Sequence, residues 1–327
     1  MPVISAGQEP EASVGDYLCD WLAHVRGRVR RVSYEGYEDA IRHHVLPELG
    51  PLALVELTPL RLQRLYSSLL AGSETRRQLS GGTVLNLHRV LHQALGQAVR
   101  WQLLVANPAA GAQPPRPKRS ERVVVDPEIA ERLLTGTTGT MYESPCALAL
   151  ASGMRRGELL ALRWSDVSRD YGQLQVVRTI QPTREGLVYE EPKSARSRRT
   201  ILLPDFIRPY LERQRTDQER RRQVAAQWEE NGLVIDSRNG KPRHPDTLSA
   251  GWSRFVRTLG LPGVRFHDLR HAHATLLLLQ GVHPKIVSER LGHATIAVTL
   301  DIYSHVLPSM QSQAVEAFDS LFPASRD

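Results

Sequence analysis

Residues 149–164 read ALASGMRRGELLALRW, and this stretch governs how the second half of the chain is understood. A small, apolar run up to Ser152 predicts a buried helix that Gly153 breaks. Gly157 then starts a second helical pattern carrying Leu159, Leu160 and Leu162. Arg155 therefore falls at a helix–helix corner, where rigid neighbours can aim a charged side chain. Arg156 stands beside it and competes for that place, but the corner pattern favours Arg155. Glu158 reads as a structural carboxylate that orients an arginine.

Working outward, a second charged stretch lies at 266–276, FHDLRHAHATL. His267 and Arg270 are three residues apart and share a face if the segment is helical. A permanent guanidinium beside an imidazole suits holding and protonating phosphate oxygens. Taken alone, the pair equally fits a salt-bridged arginine with a capping histidine. His271 and His273 read as residues behind the site or facing solvent. The third stretch, 291–305, is LGHATIAVTLDIYSH, with Tyr303 ten residues after His293. At about 100° per residue these two side chains cannot share one face of a continuous helix, so the chain must break between them, near Ala294-Thr295. On its own, Tyr303 could be a half-buried aromatic and Lys193 an ordinary turn lysine.

The remainder supplies the frame. Val14, Leu18, Trp21, Leu22 and Val25 recur at helical spacing, and a second such pattern runs from Tyr34 to Leu46. Thr58-Pro59 opens a third helix, and Ser80 opens a fourth that Asn107-Pro108 ends. Residues 109–122 (AAGAQPPRPKRSER) form a basic, proline-rich segment, semi-extended and unsuited to packing a core. Beyond it, Asp126-Pro127 starts a helix, and Leu174–Ile180, Leu187–Glu190 and Arg199–Leu203 predict an antiparallel meander. A polar helix is expected from Asp205 to Glu230, and a strand and turn from Leu233 to Gly240. Trp164 and Trp252 read as core.

Composition narrows the class of function. The 327 residues carry 42 Lys+Arg against 35 Asp+Glu, a formal charge of +7, which points to a polyanionic partner. Only four of the cations are lysines: Lys118, Lys193, Lys241 and Lys285. Cys19 and Cys146 make neither a disulfide framework nor a metal-ligand spacing. The histidines of the last third lack cysteines or acids at ligand spacing, so no metal site is expected. No phosphate-binding P-loop, zinc-protease or serine-hydrolase motif is present. With no signal peptide or membrane span, the expected location is the cytoplasm, on the nucleoid when DNA is bound.

Four blocks occur in one order: G-x-R-x-x-E at the corner, a lysine in a β-hairpin (Lys193), H-x-x-R-H, and L-G-H followed by a tyrosine. In these the chain resembles the tyrosine recombinases, the phage-integrase type of site-specific DNA recombinase, specifically integrases of mobile elements. The resemblance implies an all-α N-terminal core-binding domain, a SAM-like helical bundle, joined to a mixed α+β, mainly helical catalytic domain with a small antiparallel sheet. The expected boundaries are a tail at 1–10, the helical domain at 11–108, a linker at 109–121, the catalytic domain at 122–320 and a tail at 321–327. It further implies Tyr303 as the nucleophile forming a 3′-phosphotyrosyl link, and Arg155 and Arg270 as grips on the non-bridging oxygens. His293 would hydrogen-bond the same phosphate, His267 would assist proton transfer, and Lys193 would protonate the leaving 5′-oxygen. No ATP, metal or other cofactor is called for, because the covalent link conserves the phosphoester bond energy. Arg116, Lys118, Arg119, Arg196, Arg198 and Arg199 are expected DNA contacts. The implied partners are double-stranded DNA at specific recombination sites and three further copies in a homotetramer acting through a Holliday junction, with a directionality factor as an optional accessory. Many integrases carry a further N-terminal arm-binding domain, whereas about ten residues precede the first helix here: a recombinase acting on core sites alone, or a chain that has lost an extension. Alternatives sharing some of these features are a Xer-like dimer resolvase, a type IB topoisomerase and a DNA-binding regulator that never cuts.

Overall fold

The computed structural model describes residues 12–74, 76–117, 123–191, 198–293, 295–300, 315 and 318–319. The chain divides into two compact units, Met1–Glu121 and Arg122–Asp327. In the first, side-chain caps start the helices where the sequence places them. Ser13 accepts the Asp16 N–H at 3.0 Å and opens α1 (Val14–Val25). α2 (Arg31–His44) and the short α3 (Leu46–Leu49) follow, and Thr58 and Ser80 cap α4 (Pro59–Ala71) and α5 (Gly81–Arg100) in the same way. Their apolar stripes form one core, with Trp21, Tyr17, Leu62 and Leu91 buried within it.

Two expectations change here. α5 ends at Arg100, well before Asn107-Pro108, because Gln102 takes a left-handed φ of 61°. The Leu103 N–H then reaches back to Ala98 O and the Gln102 N–H to Val99 O, which satisfies the last carbonyls of the helix. The start of the proline-rich segment also packs: Ala109 and Ala112 are buried in the helical core. Asn107 holds them there by accepting the Ala109 N–H at 2.9 Å while donating to His92 O on α5.

The second unit is built on α7 (Glu143–Ser152), all of whose residues are buried. α6 (Pro127–Thr137) packs on it, as do α9 (Arg208–Val224) and α11 (Asp268–Leu279). α8 (Arg156–Leu160), α10 (Pro245–Thr258) and α12 (Pro284–Leu291) complete the helices that bear on the site. Trp252 is fully buried and donates from its indole nitrogen to Val264 O at 3.1 Å.

The expected meander is instead two separate two-stranded antiparallel sheets. The run Leu174–Ile180 splits into β1 (Gln173–Val176) and β2 (Thr179–Thr183). β2 pairs with β3 (Gly186–Glu190) from Thr179 opposite Glu190, while β1 pairs with β4 (Arg199–Leu202) from Gln173 opposite Leu202. The bend falls at Val177-Arg178, where Arg178 turns to an ion pair with Asp166. α9 stops at Val224, and Leu233 to Gly240 makes isolated bridges to Arg163 and Pro242 in place of a strand. An all-helical first unit and a mainly helical second unit with small antiparallel sheets match the fold class read from the sequence.

Candidate active site

The corner at 153–158 takes its shape from two close approaches. Gly153 ends α7 at φ 65°, and a Cβ there would lie 2.5 Å from Leu291 Cδ2 and 2.6 Å from His273 Cδ2. A Cβ on Gly157 would meet Thr179 Oγ1 at 2.6 Å, so β2 seats directly on α8. Between them Arg155 caps α8: its N–H donates to Glu158 Oε2 at 3.0 Å and its Nη1 to Oε1 at 2.8 Å. Arg156 turns the opposite way, donating to Ser249 Oγ at 2.6 Å and Pro245 O at 3.1 Å. The geometry thus separates the two adjacent arginines, with Arg155, which the corner pattern favours, on Glu158 and Arg156 on Ser249.

Arg270, 4% exposed, reaches from α11 into the same corner. Its Nη1 donates to Gly153 O at 2.6 Å and its Nη2 to Leu291 O at 2.7 Å. Arg155 Nη2 donates to Gly292 O at 2.9 Å. His293, the next residue, has Nδ1 2.8 Å from Thr299 Oγ1. His267 stands at the N-terminus of α11 with its ring edge-on to His271, centroids 5.1 Å apart. Asp268 is occupied elsewhere, with Arg265.

Charge is unbalanced in this corner. Glu158 is the carboxylate shared by Arg155 and Arg199, whose Nη2 donates to Oε2 at 2.9 Å. Burial raises the Glu158 pKa, but the hydrogen bond and charge of Arg199, then Arg155, outweigh it and leave the carboxyl below its ordinary value. Among the described residues Arg270 hydrogen-bonds carbonyls only, and burial, with the charge of Arg155, pushes its pKa down to about 9, still cationic at neutral pH. Burial, then Arg270 and Arg155, pushes His293 down to about 4. His267 is lowered by partial burial and then by His271 and Arg270, and its outer edge remains exposed. Three guanidiniums around one carboxylate, with two neutral imidazoles alongside, make a cradle for a tetrahedral anion.

Of the residues singled out in the sequence, Arg155, Arg270, His267 and His293 come together. Lys193, Tyr303, Lys118, Arg119 and Arg196 lie outside the described residues. Arg116 is exposed, and Arg198 is exposed and paired with Glu191. Arg199, also an expected DNA contact, has a side chain 7% exposed and turned inward onto Glu158. Strand alternation carries the signal for this, since Arg199 shares a face of β4 with the buried Ile201.

Comparison with known proteins adds a second, independent line. The model of the phage integrase family matches residues 126–310, more than half of the chain. This chain belongs to the phage integrase, or tyrosine recombinase, family. The model of the phage integrase N-terminal SAM-like domain matches residues 13–70 of this integrase-family chain. A tyrosine recombinase XerC-like protein of Caldanaerobacter subterraneus subsp. tengcongensis is 28% identical over 336 residues, covering 95% of this chain and 84% of the relative. The ICEBs1 integrase of Bacillus subtilis is 26% identical over 245 residues, covering 74% of this chain and 67% of its own. Among solved structures, the Tn1549 transposon integrase in complex with a circular intermediate DNA superposes with a TM-score of 0.80 at 20% identity, covering 94% of this chain and 99% of that one. A lambda integrase dimer bound to a COC′ core site gives 0.64 at 17% identity, covering 89% and 95%. At those identities the structural likeness is one of fold.

Proposed function

We propose that this chain is a mobile-element integrase that cuts and rejoins DNA at specific sites through a tyrosine–phosphate link. The observation that carries the reading is the cationic excess at the corner, where Arg155 and Arg199 share Glu158, Arg270 is held by the Gly153 and Leu291 carbonyls, and two neutral histidines stand ready as donors. A phosphodiester whose charge grows in the transition state is what such a cradle stabilises best. In the proposed reaction Tyr303 Oη attacks the scissile phosphorus, forming the O–P bond as the bond to the 5′-oxygen breaks. His267 assists removal of the tyrosine proton, and Lys193 supplies a proton to the departing oxygen. Attack by a 5′-hydroxyl from the partner duplex reverses these steps and reseals the strand, so two rounds pass through a Holliday junction in a homotetramer. Likeness to the ICEBs1 integrase and, in fold, to the Tn1549 transposon integrase supports the mobile-element reading, and the DNA in that complex of similar fold supports the partner. The helical domain 11–108 and linker 109–121 would contribute DNA backbone contacts, and 122–320 the chemistry. The apolar Val315 and Phe318, both exposed, favour docking of residues 309–327 on a neighbouring copy.

The test is a nicked suicide substrate carrying the junction sequences of the resident element. A covalent protein–DNA adduct that is absent with Tyr303→Phe supports the reading. Binding without an adduct would leave a regulator, and relaxation of plasmids lacking any such site would indicate a topoisomerase.

A further inference from the structure

Three consecutive carbonyls at the end of α12 each hold one guanidinium of the site. Arg290 O accepts from Arg199 Nε at 2.7 Å, Leu291 O from Arg270 at 2.7 Å and Gly292 O from Arg155 at 2.9 Å. These carbonyls have no partner within their own helix, and the negative end of the helix dipole suits them to cations. The positions of the arginines therefore depend on where this one turn of backbone sits. α12 is short, and Gly292 leaves it in a left-handed conformation at φ 63°, so the turn needs an anchor from outside.

That anchor is the side chain of Arg290. Its Nη2 donates to Ala151 O on α7 at 2.9 Å and to Leu202 O on β4 at 2.8 Å, and its Nε donates to His273 Nε2 on α11 at 3.0 Å. One guanidinium thus ties the end of α12 to three other elements. The His273 bond has a defined sense. His273 Nδ1 lies 2.7 Å from Leu150 O, an acceptor, so Nδ1 carries the proton and Nε2 is left to accept from Arg290. A charged imidazole would set one N–H against another. Burial first, then the cations facing this ring (Arg290 from α12, Arg270 on its own helix and Arg199 from β4), hold it neutral against the Leu150 carbonyl of α7, which favours the charged form.

We propose that Arg290 and His273 are positioning residues for strand cleavage, a peg and its socket that fix the carbonyl row on which Arg155, Arg199 and Arg270 are hung. Neither touches the reacting phosphate. The proposal rests on the reading of the site as a DNA-cleaving centre and names residues for which the reaction itself has no direct use. A displacement of the row by about 1 Å is enough to cost on the order of 100-fold in rate.

The experiment measures single-turnover cleavage of the nicked substrate at saturating DNA, at a temperature where every variant is folded, together with the DNA Kd. Arg290→Met and His273→Phe are expected to cleave about 10- to 100-fold more slowly with Kd within about threefold of wild type. His273→Gln, whose amide oxygen can still accept from Arg290, should recover most of the rate, and Arg290→Lys should fall between. Variants that melt at lower temperature but cleave at the wild-type rate when folded would overturn the positioning role, and so would a His273→Gln no better than His273→Phe. Absence of any adduct from the wild-type chain refutes the cleavage reading itself, whereas a normal wild-type adduct with unimpaired variants refutes only the peg.

Discussion

Replacing Glu158 by glutamine removes one negative charge from the centre of the cationic corner with little change of shape. The carboxylate is 4% exposed and accepts from Arg155 N, Arg155 Nη1 and Arg199 Nη2 at 3.0, 2.8 and 2.9 Å. Arg199, 7% exposed, would lose the carboxylate to which its Nη2 donates. Removing one partner of a buried pair costs about 3–5 kcal/mol. Glutamine retains one acceptor oxygen, so about 2–4 kcal/mol is expected. At about 2–4 °C per kcal/mol for a domain of this size, Tm at pH 7 should fall by about 5–15 °C. The pH dependence provides a second check. The folded Glu158 pKa lies below its unfolded value of 4.5, so its stabilisation is fully present above that pH and is lost as pH falls through the folded value. The gap between wild type and Glu158→Gln should thus be constant near neutrality and start to close near pH 4.5. Thermal unfolding followed by circular dichroism measures both. Equal melting at pH 7, or a gap that widens on acidification, would refute the assignment of Glu158 as the shared counter-ion.

Three further outcomes are expected. Gly153→Ala forces a left-handed residue and a Cβ within 2.6 Å of His273 and Leu291, and should cost about 2–4 kcal/mol in urea denaturation. Arg155→Ala should slow adduct formation by about 10²–10³ at saturating DNA, whereas Arg156→Ala, which loses bonds to α10, should cost about 1 kcal/mol of stability and leave adduct formation intact in gel assays. His273 and His293 are held near pKa 4 in the folded chain, so between pH 6.5 and 4 the unfolded state binds more protons and stability falls with pH. The urea midpoint should therefore drop across that window, and less steeply in His273→Gln; a midpoint that rises on acidification contradicts the burial of neutral imidazoles.

Much of this was legible in one dimension because local rules carried it. Side-chain caps at Ser13, Thr58, Ser80 and Asp126 each satisfy an N–H three residues away, so the start of a helix is written beside it. The stop of α5 was not legible, since Gln102 in a left-handed turn has no distinctive residue type. Nor was the split of Leu174–Ile180, because strand partners are chosen by contacts far along the chain.

By itself, the sequence determined which side chains are available and in what order: two arginines at fixed distances from histidines, a tyrosine beyond them and a cationic surplus overall. Those follow from spacing and composition, which need no neighbours. Only the tertiary structure decided what each arginine faces. Arg156 turns to α10 and Arg155 to Gly292, although they are adjacent in the chain, because Glu158 and the end of α12 lie on one side of the corner and Ser249 on the other. The place of Arg199 is decided in the same way, by Glu158 and the Arg290 carbonyl, 41 and 91 residues away. Alternation along β4 marks Arg199 as inward-facing, but the carboxylate that a buried charge meets is fixed only when the elements pack.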